Sequence, residues 1–143
     1  MVPASLIAEV MGGAMVLGTQ VSSVGELARV VSSGLPKQAL RTTVQRLYDV
    51  PQQVNSLVYR IVPEATYKRR SRLTPSESER TERLARVIAA AEYVWDDKEQ
   101  AHEWLARPHP ELNGASPLQY AMTELGARQV EQLLDHLFYG LPV

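Results

Sequence analysis

The residues of this chain that could do chemistry fall into four groups, and their spacing sorts them. His102, His109 and His136 lie in three separate segments, and none has a ligand-type partner one helical turn away that would complete a metal set. Asp96, Asp97, Glu99 and Glu103 are numerous enough for acid–base work. Clustered just ahead of an apolar-striped segment, however, they suit a helix cap and charges favoured by the helix dipole. The chain contains no cysteine, so thiolate nucleophiles, disulfides and Cys-based zinc sites are excluded. No glycine-rich phosphate loop, nucleophile elbow or Ser/His/Asp set occurs, so neither an enzyme nor a cofactor or metal is expected.

The fourth group is cationic. The stretch PEATYKRRSRLTPSESER, residues 63–80, holds Lys68, Arg69, Arg70, Arg72 and Arg80 and then turns acidic. The formal charge of the whole chain is only −1, yet residues 1–75 carry nine Lys/Arg against four Asp/Glu, and residues 76–143 carry six against twelve. A basic half favours an anionic partner and an acidic half disfavours the same one, so the two halves are expected to do different work.

These groups must be positioned by helices. Ser23-Val24-Gly25-Glu26 and Thr74-Pro75-Ser76-Glu77 both read as capping boxes, and Pro36, Pro51, Pro63, Pro75 and Pro117 each precede a segment with three-four apolar spacing, as for proline in a first turn. The fold class is therefore all-α. Val24, Leu27, Ala28 and Val31 stripe a helix that stops at Ser32-Ser33-Gly34. Ala39, Leu40, Val44 and Leu47 stripe a second, and Val54, Leu57, Val58 and Ile61 a third. A fourth runs from Pro63 to about Arg72 with little apolar content, leaving most of its circumference to water or a ligand.

The longest helix is expected from Thr74 to about Trp95. Asp97 caps the next, which buries Ala101, Trp104 and Leu105, and Asn113-Gly114 marks a turn. Leu118, Met122 and Leu125 predict a helix ended by Gly126, and Val130, Leu133, Leu134, Leu137 and Phe138 stripe the last. Trp95 and Trp104 read as core anchors. Residues 10–25 carry no charge, but Gly12, Gly13, Thr19, Gln20 and two serines break the run, so neither a signal peptide nor a membrane span is expected.

The segment LVYRIVPEATYKRR, residues 57–70, has the pattern of a helix-turn-helix: two short helices, a tight turn, and cations late in the second. Glu64, Ala65 and Thr66 would approach base edges. Arg69, Arg70 and Arg72, one turn later, would suit phosphates or guanine edges, which guanidinium forks match.

The second half adds three motifs: LTPSESER at 73–80, AHEWLARPHPELNGASPL at 101–118, and GARQVEQLL at 126–134 before Tyr139-Gly140. In these motifs the chain resembles the Xre/MbcA/ParS-like antitoxins of type II toxin–antitoxin systems, from about Gly34 to Gly140. The resemblance implies an N-terminal Xre-like helix-turn-helix domain joined by a long helix to a small helical toxin-binding domain. It implies a partner toxin of the RES family, which consumes NAD or transfers from it, and repression of the chain's own operon through operator DNA. The implied parts are an unassigned segment 1–20, a DNA-binding domain 21–73, a connecting helix 74–96 and a toxin-binding domain 97–143.

Carried onto this sequence, the DNA reader is Thr66, Tyr67, Lys68, Arg69, Arg70 and Arg72. Ile61 stands where the turn of such motifs often has glycine. The implied toxin-binding surface lies between Asp97 and Val143, with Trp104, Asn113, Gly114 and Tyr139 as toxin-facing residues. Independently of the resemblance, the helix stop at Gly140 leaves Leu141, Pro142 and Val143 as an extended apolar tail with a free carboxylate, expected to face the toxin, the alternative being a frayed terminus. A homodimer is expected, because two half-sites multiply a weak single contact, and so is a cytoplasmic location with no membrane partner. The alternative is a helix-turn-helix transcriptional regulator without a toxin partner.

Overall fold

The computed structural model describes residues 2–140 and places in them α1 (Ala4–Val10), α2 (Gly13–Leu17), α3 (Val24–Ser32), α4 (Lys37–Gln45), α5 (Pro51–Ile61), α6 (Glu64–Arg69), α7 (Pro75–Trp95), α8 (Lys98–Ala106), α9 (Pro117–Tyr120) and α10 (Glu124–Phe138). Side-chain caps open five of the ten α-helices among the described residues, namely α3, α7, α8, α9 and α10. Among the described residues there is no strand, only an isolated antiparallel bridge between Pro36 and Arg72. Ser23 caps α3 by accepting from the Glu26 N–H at 3.1 Å, while the Glu26 carboxylate accepts from the Ser22 N–H and from the Ser22 and Ser23 hydroxyls rather than from the Ser23 N–H of a full capping box. Thr74 and Glu77 exchange the reciprocal bonds of a capping box at the head of α7, at 2.9 and 3.1 Å. Pro51 occupies the first turn of α5, but Pro36 and Pro63 are the N-cap residues of α4 and α6, one position earlier than expected.

The chain divides into two compact units, residues 3–85 and residues 86–143 joined by the first two residues, and α7 contributes to both. In the first unit α1 packs on α2 and α3, α2 on α4, α4 on α5 and α5 on α6. Met11, Leu35, Leu40, Val44, Val58 and Val62 are fully buried there. The segment 1–20, to which no element was assigned, supplies α1 and α2. Its pattern was obscured by Gly12 and Gly13, whose positive φ of 109° and 64° makes the break between them.

Gly34 ends α3 with a φ of +88°, and a Cβ placed there would stand 2.7 Å from the Leu73 carbonyl oxygen. This close approach seats the chain after α6 beside the chain before α4. The Leu73 N–H donates to the Leu35 carbonyl at 2.8 Å and the Lys37 N–H to the Ser71 carbonyl at 3.2 Å.

In the second unit α9 packs on both α8 and α10. Asp97 caps α8 through the Gln100 N–H, and Ser116 caps α9 in a full capping box with Gln119. The C-terminal helix departs from the expectation. Gly126 does not end a helix; α9 stops at Tyr120, and Thr123 caps α10 by accepting from the Gly126 N–H. Glycine is required at 126 for proximity, since a Cβ there would overlap the Tyr120 carbonyl oxygen. Leu125, placed in an apolar stripe by spacing, is consequently 72% exposed. Arg86 of α7 meets Glu131 of α10 at 3.1 Å, in a pair with little exposure on either side. No helix among the described residues is long and apolar enough to cross a membrane.

Candidate functional site

The basic segment is built on α5 and α6. α5 ends at Ile61, and Val62 is its C-cap in extended backbone, with φ −132° and ψ 119°. The turn between the helices therefore needs no left-handed residue, which explains why Ile61 can stand where glycine is common. Pro63 then opens α6, whose six residues bury one side chain, that of Tyr67.

Each predicted reader residue has a distinct setting. Thr66 is half-buried. Lys68 is exposed and pairs with Glu64 one turn back at 2.6 Å, in an exposed helix pair that solvent largely screens. Arg69 is exposed and its side chain makes no hydrogen bond or ion pair. The Arg70 guanidinium donates to Glu77 at 2.7 Å, and that of Arg72 to the Gly34 carbonyl at 2.7 Å. Tyr67 requires a correction: it is only 5% exposed, because its ring is enclosed by α4 and α5, and it cannot be presented to a ligand.

Burial pushes the Glu77 carboxyl up, but the Thr74 N–H, the Arg70 charge and hydrogen bond, and the Thr74 hydroxyl outweigh it and hold it below the usual carboxylate range. The Arg70–Glu77 pair therefore joins the end of the basic segment to the start of α7. Sequence reasoning missed Lys37 and Arg41, which stand one turn apart on α4 and reach the Tyr67 ring, with cation-to-centroid distances of 5.0 and 5.2 Å. Their four-residue spacing was a readable sign of one cationic face. What the segment offers chemically is a run of guanidinium and ammonium groups in the last turn of α6 and just after it, suited to phosphate oxygens.

The second unit presents a different surface. Tyr93, Phe138 and Tyr139 are 46, 48 and 65% exposed and form a continuous aromatic patch, with ring centroids 5.6 Å apart for the first two and 5.1 Å for the last two. Spacing had placed Phe138 in the core stripe, and Tyr93 had not been singled out. Trp104, expected to face the toxin, requires the same correction as Tyr67: it is only 9% exposed and packs edge-on against His109 at 6.2 Å, so it anchors the core of this unit, as its apolar spacing had also suggested. Asn113 and Gly114 form an exposed left-handed turn with φ of 57° and 80°. Leu141, Pro142 and Val143 lie outside the described residues. The unit carries four Lys/Arg against nine Asp/Glu, whereas residues 3–85 carry eleven against seven. Among the described residues, no three His, Asp or Glu side chains converge as a metal set.

A short helix pair ending in cations, followed by an acidic helical unit with an exposed aromatic face, defines a two-part binding protein of the helix-turn-helix class. Comparison with known proteins gives the family. Residues 26–86 match the antitoxin Xre-like helix-turn-helix domain and residues 90–140 match the antitoxin Xre/MbcA/ParS C-terminal toxin-binding domain; the chain belongs to the Xre/MbcA/ParS-like antitoxins. Curated relatives include an antitoxin Xre of Pseudomonas putida, 37% identical over 84 residues, which cover 56% of this chain and 53% of that protein. An antitoxin Xre of Yersinia enterocolitica is 36% identical over 85 residues, covering 56% of this chain and 57% of that protein. The chain thus spans about half the length of the curated relatives it matches.

Proposed function

We propose that this chain is the antitoxin of a type II toxin–antitoxin pair, binding operator DNA through residues 3–85 and a toxin through the unit that follows. The observation that carries this reading is the coincidence of two divisions. The boundary between the two compact units, after residue 85, falls where the family match over residues 26–86 gives way to the one over residues 90–140, and the units carry opposite charge balances. A basic unit suits the phosphate backbone, whose neutralisation supplies most non-specific affinity for DNA. An acidic unit would be repelled from DNA and is free to face a protein.

On this reading the DNA-facing cations are Lys68, Arg69, Arg70 and Arg72, with Thr66 toward the bases, and Tyr67 acts from beneath them. Arg69 is the strongest single candidate, being exposed and unpartnered. The toxin-facing surface is the aromatic patch of Tyr93, Phe138 and Tyr139, and the same role is proposed for the exposed Asn113-Gly114 turn and, on sequence grounds alone, for Leu141, Pro142 and Val143. Aromatic anchors of this kind dominate protein interfaces. The partner is a RES-family toxin acting on NAD. The chain acts by covering that toxin rather than by catalysis of its own, and it represses its operon as a dimer in the cytoplasm.

Co-expression tests the reading. The open reading frames flanking the gene are induced singly in a host strain, and growth is followed with and without this chain. One neighbour should arrest growth with depletion of NAD, and this chain should restore growth and co-purify with it. Absence of any toxic neighbour, or toxicity that this chain does not relieve, would refute the proposal.

A further inference from the structure

We infer that Tyr67 and Lys37 form a clamp that sets the pose of α6, making Tyr67 a positioning residue for sequence recognition; the recognition part of this rests on the DNA-binding reading of α5 and α6. A helix of six residues has no stability of its own, since nucleation costs more than so few hydrogen bonds return. Its orientation must come from tertiary attachment, and Tyr67 is the one side chain α6 buries.

The attachment is reciprocal. The Tyr67 hydroxyl donates to the Lys37 carbonyl at 3.1 Å, and the Lys37 ammonium donates to the Tyr67 carbonyl at 3.1 Å. That second bond satisfies a carbonyl in the last turn of α6, where a cation also complements the helix dipole. Arg41 lies over the same ring and donates to the Asn55 side chain of α5 at 2.8 Å, and Tyr59 of α5 meets the ring edge-on at 6.0 Å. Both helices next to α6 are therefore registered on one aromatic ring. Past the C-terminus of α6, the Lys37 N–H holds the Ser71 carbonyl, so the same residue fixes the helix and its exit. Lys37 thus uses its charge inside the fold, and Arg69 and Lys68 are left to display theirs outward from a helix whose rotation is set.

The test uses the full chain and a DNA duplex that the wild-type protein selects from a random-sequence library, compared with a scrambled duplex of the same composition. Tyr67→Phe removes the hydroxyl and keeps the ring. It should weaken binding to the selected duplex roughly fivefold, the worth of about one hydrogen bond, while the scrambled duplex changes by less than about twofold. Lys37→Met should behave the same way with an unchanged log–log salt slope, because its ammonium is not on a phosphate. The double variant should be no weaker than the weaker single one. Equal losses on both duplexes, or a Lys37→Met slope reduced by about one, would overturn the inference and make these residues general supports or direct phosphate contacts.

Amide hydrogen exchange decides the clamp without any DNA. Tyr67→Phe should speed exchange in residues 64–71 relative to α4 and α5, and unchanged exchange there sinks the clamp. Failure of the wild-type protein to select any duplex instead sinks the DNA reading, and the exchange result still stands on its own.

Discussion

Replacing Glu77 by glutamine should reveal how the basic segment is fastened to α7. Glu77 is 7% exposed, accepts the Thr74 N–H at 2.9 Å and binds the Arg70 guanidinium at 2.7 Å. Glutamine keeps an acceptor for Thr74 but loses the charge that Arg70 faces. The Arg70 side chain is 36% exposed, so solvent screens part of the pair and the loss should be about 1 kcal/mol. In a chain of this size that lowers Tm by roughly 3–6 °C. Glu77→Ala also abolishes the reciprocal cap and should cost about 2 kcal/mol.

The pH dependence separates this explanation from a packing effect. The Glu77 carboxyl is held below its ordinary value of 4.5 in the folded protein, so its contribution is fully present above that value and is lost as pH falls through the lower folded value. The Tm gap between wild type and Glu77→Gln, followed by circular dichroism, should be full near pH 7 and close at acid pH, where the wild-type residue is itself neutral. A gap that stays constant down to about pH 3, or no gap at neutral pH, would refute the reasoning.

Two further substitutions test the second unit. Gly126→Ala forces a Cβ onto the Tyr120 carbonyl and should lower stability by at least 2 kcal/mol in chemical denaturation, whereas a helix-interior glycine free of contacts would gain from alanine. Trp104→Ala empties a buried aromatic site and should cost roughly 3–5 kcal/mol; unchanged unfolding would mean that Trp104 is a surface contact.

Helix starts were legible in the sequence because a cap is chemistry among residues three apart. Thr74 with Glu77, Asp97 with Gln100 and Ser116 with Gln119 need no tertiary information to be read. Gly126 was misread because a glycine that ends a helix and one that admits a neighbouring backbone look alike in one dimension. The difference lies in Tyr120, which turns back across it only in the folded chain. Tyr67 was misplaced for a related reason. Its neighbours in sequence are cations at the surface, but its neighbours in space are Lys37 and Arg41, about thirty residues earlier. Tyr93 and Phe138 could not be found by periodicity, which reports apolar faces without saying which ones stay uncovered.

The central claim is that DNA binding and toxin binding reside on separate units, and one paired measurement addresses it. The full chain is prepared as Lys68→Ala/Arg69→Ala and as Tyr93→Ser/Phe138→Ser, with folding checked by circular dichroism. Each variant is then assayed for salt-dependent binding to duplex DNA and for protection against the neighbouring toxin. The account predicts that the first variant loses up to two phosphate contacts from its log–log salt slope and still protects, and that the second keeps the wild-type slope and no longer protects. A folded variant that lost both activities, or a basic-segment variant that kept the full slope, would contradict it.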